Sequence, residues 1–473
     1  MDASPGRRRD LALFGAALIL FAVALVRQVA VGAPLGPDEA IYATGGRELV
    51  DGTAASAFGL HRSIGMKVLA APGAAAGGAE WALRAIGLAA SLAFLVAYRG
   101  VGARVVGRWP AAWAAAAMVT SFGLERRGGE LLSDVPSLLL LVLALHVIVR
   151  ELDRPGEGAR PGTGLLLVAP LAAAAFYLRY GVTTALAGAA LAAAALWWRQ
   201  VSIGRGVALA TAALFLLLLL PHALHALHET GSALGILEAS GEAAHRAYLG
   251  EGLVQFPLAL ALEGGPVVLV LVVVGAVDGA RRLRQPGRER AVAFVWLVSV
   301  FHIVATGLLV HAEFRYFFLG VAGLTLLGAR AACEWARGRR RAAPVAAGLL
   351  LVAFAVTHQL NIHRYRRLAR VRQVEVDAGA LVERAAGQGS CTALTSEVPV
   401  VGWYSGCAAR PLHTRPDRLP PERRFLVLFD RDPDAADARA RLGRSHRLVP
   451  VGRALDPTDQ FGDAEVSEIR PLR

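Results

Sequence analysis

Residues 11–42 read LALFGAALILFAVALVRQVAVGAPLGPDEAIY. Residues 11–31 are apolar apart from Arg27 and Gln28, long enough to cross a hydrocarbon core of about 30 Å as a helix. The run gives way to Gly36-Pro37-Asp38-Glu39-Ala40-Ile41-Tyr42, which sets two carboxylates just outside the span, and Arg47, Glu48 and Asp51 follow. At the mouth of a multi-span protein, such carboxylates stand where chemistry on a lipid-borne substrate would need a base.

Composition agrees with a membrane setting. Of 473 residues, 55% are hydrophobic and only 18% charged, and the mean hydropathy is +0.47. A soluble chain of this length would carry more charge to wet its surface. The apolar residues fall into about eleven runs of spanning or near-spanning length, at 11–31, 81–98, 109–124, 135–149, 164–178, 182–198, 207–221, 265–280, 291–310, 317–332 and 343–360. Arginine collects in alternate loops: Arg7–Arg9, then Arg99, Arg104 and Arg108, then Arg150, Arg154 and Arg160, then Arg199 and Arg205. Arg281, Arg282, Arg284, Arg288 and Arg290 continue the series, and Arg337 with Arg339–Arg341 closes it. By the positive-inside rule these loops are cytoplasmic, so the N-terminus lies inside and the C-terminal tail outside, in the plasma (inner) membrane. The net charge of +13 is therefore largely topological, and a nucleic-acid partner is not expected. The first span has the look of a signal peptide, with cleavage conceivable after Ala33, but its length and the spans behind it predict an anchor.

The tail changes character. Residues 361–473 are rich in charge and proline. Cys391–Leu394 and Phe425–Phe429 read as buried strands and residues 366–386 as a helix. The expected fold is an all-α polytopic membrane protein over 1–360 with a small extracytoplasmic α/β domain over 361–473. Cys391 and Cys407 flank Glu397–Tyr404 in that domain. They read either as a disulfide in an oxidising compartment or as two buried thiols, and Cys333 stands alone.

With this topology the longer outside segments are 32–80, 125–134 and 222–264. The first holds Asp38, Glu39, His61, Arg62 and Lys67, with Ile64–Gly78 too short to span. The second holds Glu125, Arg126, Arg127, Glu130 and Asp134. Asp134 precedes Val135-Pro136, so taken alone it reads as a helix cap before it reads as chemistry, and Asp38 after Pro37 has the ordinary look of a turn residue. Arg62, Arg179 and Arg315 lie outside near the membrane boundary, against the general charge asymmetry. A lipid phosphate would partner them well, and snorkelling to headgroups is the plainer alternative. In 222–264, His222, His225 and His228 share a helical face, which fits a polar amphipathic helix better than a zinc site.

Four features in order resemble the glycosyltransferase C superfamily, in its protein mannosyltransferase and aminoarabinose-transferase branch. They are Pro37-Asp38-Glu39-Ala40 with Gly46-Arg47-Glu48, then Ser133-Asp134-Val135-Pro136, then Tyr177-Leu178-Arg179-Tyr180-Gly181, and Phe314-Arg315-Tyr316-Phe317. The resemblance covers roughly residues 10–330. It implies inverting transfer of a sugar from a polyprenyl-phosphate donor to an unidentified acceptor on the outer face. Asp38 would be the base, with Glu39 beside it and Asp134 assisting. Arg62, Arg179 and Arg315 would hold the phosphate, and His61, Tyr180 and Tyr316 would line the substrate site. The reading places the base apart from the guanidinium groups, which would otherwise lower its pKa. His61-Arg62-Ser63 stands where relatives carry a Lys-Pro-Pro segment. Some relatives use a divalent metal, for which Asp38, Glu39, Glu130, Asp134 and His61 are the available ligands, though no spacing demands one. A secondary transporter or lipid flippase is the rival reading. It is disfavoured by spans nearly free of acids and by the lack of an internal repeat. A non-catalytic scaffold ranks third.

Overall fold

The computed structural model describes residues 5–52, 59, 62–153, 162–242, 247–285, 289–311, 313–387, 389–415, 419 and 422–472. Each expected span holds helix, and among the described residues eight helices are long and apolar enough to cross a membrane. The chain enters through α1 (Pro5–Ala30), passes the loop helices α2 (Pro37–Asp51) and α3 (Gly65–Ala75), and returns through α4 (Glu80–Val105). The third expected span is divided into α5 (Arg108–Val119) and α6 (Phe122–Gly128). The Ser121 hydroxyl caps α6 by accepting the Leu124 N–H, so the chain restarts in a new direction. Helix α7 (Asp134–Leu152) follows, then the shorter apolar helices α8 (Val168–Leu178) and α9 (Thr183–Leu196).

Beyond them lie α10 (Trp198–Ile203), α11 (Arg205–Thr230), α12 (Gly235–Glu242), α13 (Glu251–Ala259) and α14 (Gly265–Leu283). A π turn over Leu260–Gly264 joins the last two. Helices α15 (Arg290–Leu309), α16 (Phe318–Trp335) and α17 (Ala342–Val371) complete the bundle. In lipid, burying apolar surface gives no advantage, so helices associate through close backbone approach at small residues. The α14–α16 contact works this way. A Cβ added to Gly275 would lie 2.0 Å from the Leu324 carbonyl oxygen, and one on Gly328 would lie 2.0 Å from that of Leu271.

Helix α17 does not stop at residue 360. It runs on to Val371 and turns at Arg372 into α18 (Gln373–Ala386), so the last span leads directly into the C-terminal domain. There β1 (Cys391–Leu394), α19 (Val398–Ser405), β2 (Ala408–Arg410), β3 (Arg423–Phe429), α20 (Ala435–Gly443), β4 (His446–Ala454) and β5 (Ala464–Pro471) form a sheet in the order β2-β1-β3-β5-β4. β1 is parallel to β2 and β3, and β5 runs antiparallel to β3 and β4. Val374, Ala378 and Val382 of α18 pack on Phe425, Val427 and Phe429.

Helix α19 reaches back to the membrane face. Val400 and Trp403 join Leu35, Ala40, Ile41 and Met66 in one apolar cluster, and the Arg47 guanidinium lies 3.9 Å from the Trp403 ring centroid. The Tyr404 hydroxyl accepts the Leu35 N–H at 2.9 Å, and Arg372 donates to the Pro34 carbonyl at 3.1 Å. The C-terminal domain thus grips the segment that leads into Asp38.

Cys391 and Cys407 are bridged, which ties β1 to the start of β2. The bridge closes a loop of sequence separation 16, so replacing both cysteines by serine should cost the folded C-terminal domain about 3 kcal/mol. Denaturant unfolding of the purified protein, with alkylation that labels only Cys333 in the wild type, checks both points.

Candidate active site

The site begins with the anchoring of α2. Gly36 precedes the helix in extended conformation and Pro37 opens it, where a missing N–H is harmless. Glu39 turns back to accept the Gly36 N–H at 3.0 Å, half of a capping box. Arg84 of α4 holds the same carboxylate with two hydrogen bonds of 3.0 and 3.1 Å, and gives its other donors to the carbonyls of Ala33 and Pro34. The Leu131 N–H, from the second outside loop, adds a further bond at 3.1 Å. Burial pushes the Glu39 carboxyl up, but Arg84 and the two backbone donors outweigh it and hold it below its ordinary value. Glu39 is 3% exposed and Arg84 1%. Glu39, expected beside Asp38 at the reacting centre, therefore points into the protein, because adjacent residues on a helix face different ways.

Asp38 points the other way, and its side chain remains 29% exposed. Arg62 lies 2.8 Å from one of its oxygens and Arg315 donates to the other at 3.1 Å. Asp134, at the first position of α7, is buried with Arg179 hydrogen-bonded to its carboxylate, and Arg315 is 3.9 Å from its second oxygen. Of the two readings of Asp134, the ion pair is the one its carboxylate makes. Arg315 stands between the two aspartates, with Glu313 on its Nε side. The Tyr316 ring lies against Arg179 and Arg315, with centroids 4.8 and 5.4 Å from the guanidinium carbons. Three carboxylates (Asp38, Asp134, Glu313) thus face three guanidinium groups (Arg62, Arg179, Arg315).

This geometry corrects one expectation. Asp38 is not kept apart from positive charge. Burial pushes its carboxyl up, yet Arg62 and Arg315 together outweigh that and hold it below the usual carboxylate value.

Two residues of the cluster escaped the sequence reading. Tyr42, one helical turn after Asp38 on the same face of α2, is buried and hydrogen-bonded to both Arg62 and Ser133. Its i+4 spacing from Asp38 was the available signal. Glu313, two residues before Arg315, was the other. Tyr180 lies behind the cluster: its hydroxyl donates to the Arg62 carbonyl at 3.4 Å and its ring packs on Phe176 and His222. His222 turns inward while His225 and His228 are exposed, so the three histidines do not converge. His61 lies outside the described residues. Of the candidate metal ligands, Glu39 is committed to Arg84, and Glu130 to Arg127 and the Tyr365 hydroxyl. No group of three or more His, Cys, Asp or Glu side chains suited to a metal ion occurs among the described residues.

No family model matches the chain, and no curated protein matches its sequence. Solved structures share its fold. ArnT from Cupriavidus metallidurans, bound to undecaprenyl phosphate, aligns with a TM-score of 0.64 at 14% identity, over 98% of this chain and 98% of that one. The Archaeoglobus fulgidus oligosaccharyltransferase AglB, in complex with an inhibitory peptide and a dolichol-phosphate, aligns with a TM-score of 0.56 at 11% identity, over 94% of this chain and 74% of that one. At such identities the likeness is one of fold. The fold is the glycosyltransferase C fold that the four sequence features resemble.

The two acids of the Asp38-Glu39 pair should respond differently to loss of charge. Glu39→Gln leaves Arg84 buried without its counter-charge and should destabilise the protein by about 3–5 kcal/mol, seen as a lower unfolding temperature. Asp38→Asn, at a partly exposed position, gives up two ion pairs and should lower the unfolding temperature by less than Glu39→Gln does.

Proposed function

We propose that this protein is an inverting membrane glycosyltransferase. It transfers a sugar from a polyprenyl-phosphate donor to an acceptor at the outer face of the plasma (inner) membrane. Residues 1–360 are its catalytic body and 361–473 its extracytoplasmic domain, with the N-terminus in the cytoplasm. The carrying observation is the convergence of Asp38 and Asp134 with Arg62, Arg179 and Arg315 at one site. It lies on a fold shared with an ArnT that binds undecaprenyl phosphate and an AglB that binds a dolichol-phosphate and a peptide.

The charge balance suggests how the base is released. Arg62 and Arg315 are the partners of Asp38, and a carboxylate so held is a poor proton acceptor. A donor phosphate offers these arginines a stronger, bidentate partner. As they turn to it, Asp38 loses the charges that depress its pKa and becomes a better base for the acceptor proton. Asp38 then takes the proton of the acceptor nucleophile, which attacks the anomeric carbon from the face opposite the phosphate. The bond from that carbon to the phosphate oxygen breaks, and its electron pair leaves with the polyprenyl phosphate. The guanidinium groups steady the charge that develops there. Asp134 keeps Arg179 oriented, Tyr42 and Tyr316 fix the planes of the arginines, and Glu39 serves the scaffold.

Membranes supplied with labelled polyprenyl-phosphate sugars should transfer label with the wild type, whereas Asp38→Asn at equal protein level should lose activity by at least about 100-fold. Equal transfer by both would remove Asp38 from the role of base.

The pH profile tests the coupling. In the free enzyme the depressed carboxyl of Asp38 sets the acid limb of kcat/KM: activity is present above its pKa and lost as pH falls through it. Arg62→Gln removes the largest lowering influence, so besides weaker donor binding the acid limb should move up by about one pH unit or more. An unmoved limb would disconnect Arg62 from Asp38.

A further inference from the structure

Beside the Asp38 cluster lies a second group of arginines that the mechanism does not use. Arg126 and Arg127 are on α6 and Arg364 is on α17. Four side-chain bonds lay α17 along α6: Thr357 to the Thr120 carbonyl at 3.0 Å, His358 to Glu125 at 2.8 Å, Asn361 to the Phe122 carbonyl at 3.4 Å, and Tyr365 to the Arg126 carbonyl at 3.1 Å. This seam brings Arg364 within electrostatic reach of both other arginines.

Negative charge is short here. Arg127 is paired with Glu130 at 3.0 Å, but Glu130 also accepts the Tyr365 hydroxyl. Arg126 has only Glu263, at 3.8 Å, and Arg364 forms no ion pair among the described residues. The buried Nε atoms of Arg126 and Arg127 have no hydrogen-bond partner among the described residues. Burial and the neighbouring Arg127 pull the Arg126 guanidinium down to about 10, against the opposing pull of Glu130 and with the help of Arg364. Around Asp38 charge balances three against three; here three guanidinium groups face two carboxylates.

The backbone is also shaped to keep this corner tight. Glu263 sits in the π turn between α13 and α14, a helix irregularity common at functional sites. Its carboxylate comes within 3.0 Å of where a Cβ on Gly123 would stand, so a glycine in α6 is what admits it. The surroundings look toward lipid. Val356 and Leu360 precede Arg364 at helical spacing on one face of α17 and are 55% and 57% exposed, and Leu262, next to Glu263, is 67% exposed. A ligand with an anionic head and an apolar body fits that border.

We propose that Arg126, Arg127 and Arg364 form a second oxyanion subsite that takes the phosphate head of an anionic membrane lipid, separate from the Arg62–Arg179–Arg315 set. The subsite would hold that lipid next to the reacting centre, since Arg127 also senses the charges of Arg315 and Asp134. The proposal rests on the donor-phosphate reading for its assignment of the first set.

The test uses purified full-length protein in phosphatidylcholine nanodiscs. Thermal shift is titrated with short-chain phosphatidic acid and, separately, with farnesyl phosphate. The variants are Arg364→Gln and Arg126→Gln for the second set and Arg62→Gln for the first. Arg364→Gln breaks no ion pair among the described residues, so it keeps the test valid should Arg126→Gln fold poorly. Phosphatidic acid should bind the wild type and bind Arg364→Gln about tenfold more weakly, with farnesyl phosphate changed by less than about twofold. Arg62→Gln should show the reverse. No binding of phosphatidic acid, or equal binding by wild type and Arg364→Gln, would overturn the second subsite. Weakening of both ligands by Arg364→Gln would overturn its separateness. Farnesyl phosphate indifferent to Arg62→Gln would instead count against the donor reading.

Discussion

The buried Glu39–Arg84 pair is the constraint on which the site depends. It joins the start of α2 to α4, fixes the carbonyls of Ala33 and Pro34, and through the Leu131 N–H reaches the loop that leads to Asp134. A desolvated ion pair is a poor source of net stability, because the cost of leaving water offsets most of the attraction. What it provides is direction. With every oxygen of Glu39 engaged inside, the neighbouring Asp38 has one way to point, and that way faces Arg62 and Arg315.

A second layer of support comes from the C-terminal domain. Tyr404 and Arg372 hold the backbone of Leu35 and Pro34, and Trp403 covers Arg47. The domain reaches the site by way of α17, which continues past the membrane boundary to Val371 and along whose α6-facing side the Glu125–His358 and Tyr365–Arg126 contacts form.

Much of the architecture was legible in the sequence, for reasons of solvent. Spans must satisfy their own backbone and be apolar, so each left a clear run, and the strands at Cys391–Leu394 and Phe425–Phe429 were similarly marked by burial. Helix ends were less legible: α17 runs beyond its apolar part, since helix continues wherever nothing breaks it. At the site, Asp38, Asp134, Arg62, Arg179 and Arg315 were picked out as charges at the membrane boundary, and they converge. The division of labour within Asp38-Glu39 was not legible, because it depends on Arg84, a residue of a distant helix. A lone arginine in the apolar run of the second span was the clue that such a partner existed. The ion pairing of Asp38 was also unforeseen, since it depends on where Arg62 and Arg315, distant in sequence, come to lie.

That pairing leads to the most direct test. An experimental structure of the full-length protein with undecaprenyl phosphate bound would show whether the arginines change partners. The account expects the phosphate on Arg62 and Arg315, with Asp38 released toward an open face and Glu39 still on Arg84. A phosphate bound elsewhere, with Asp38 still held by both arginines, would contradict it.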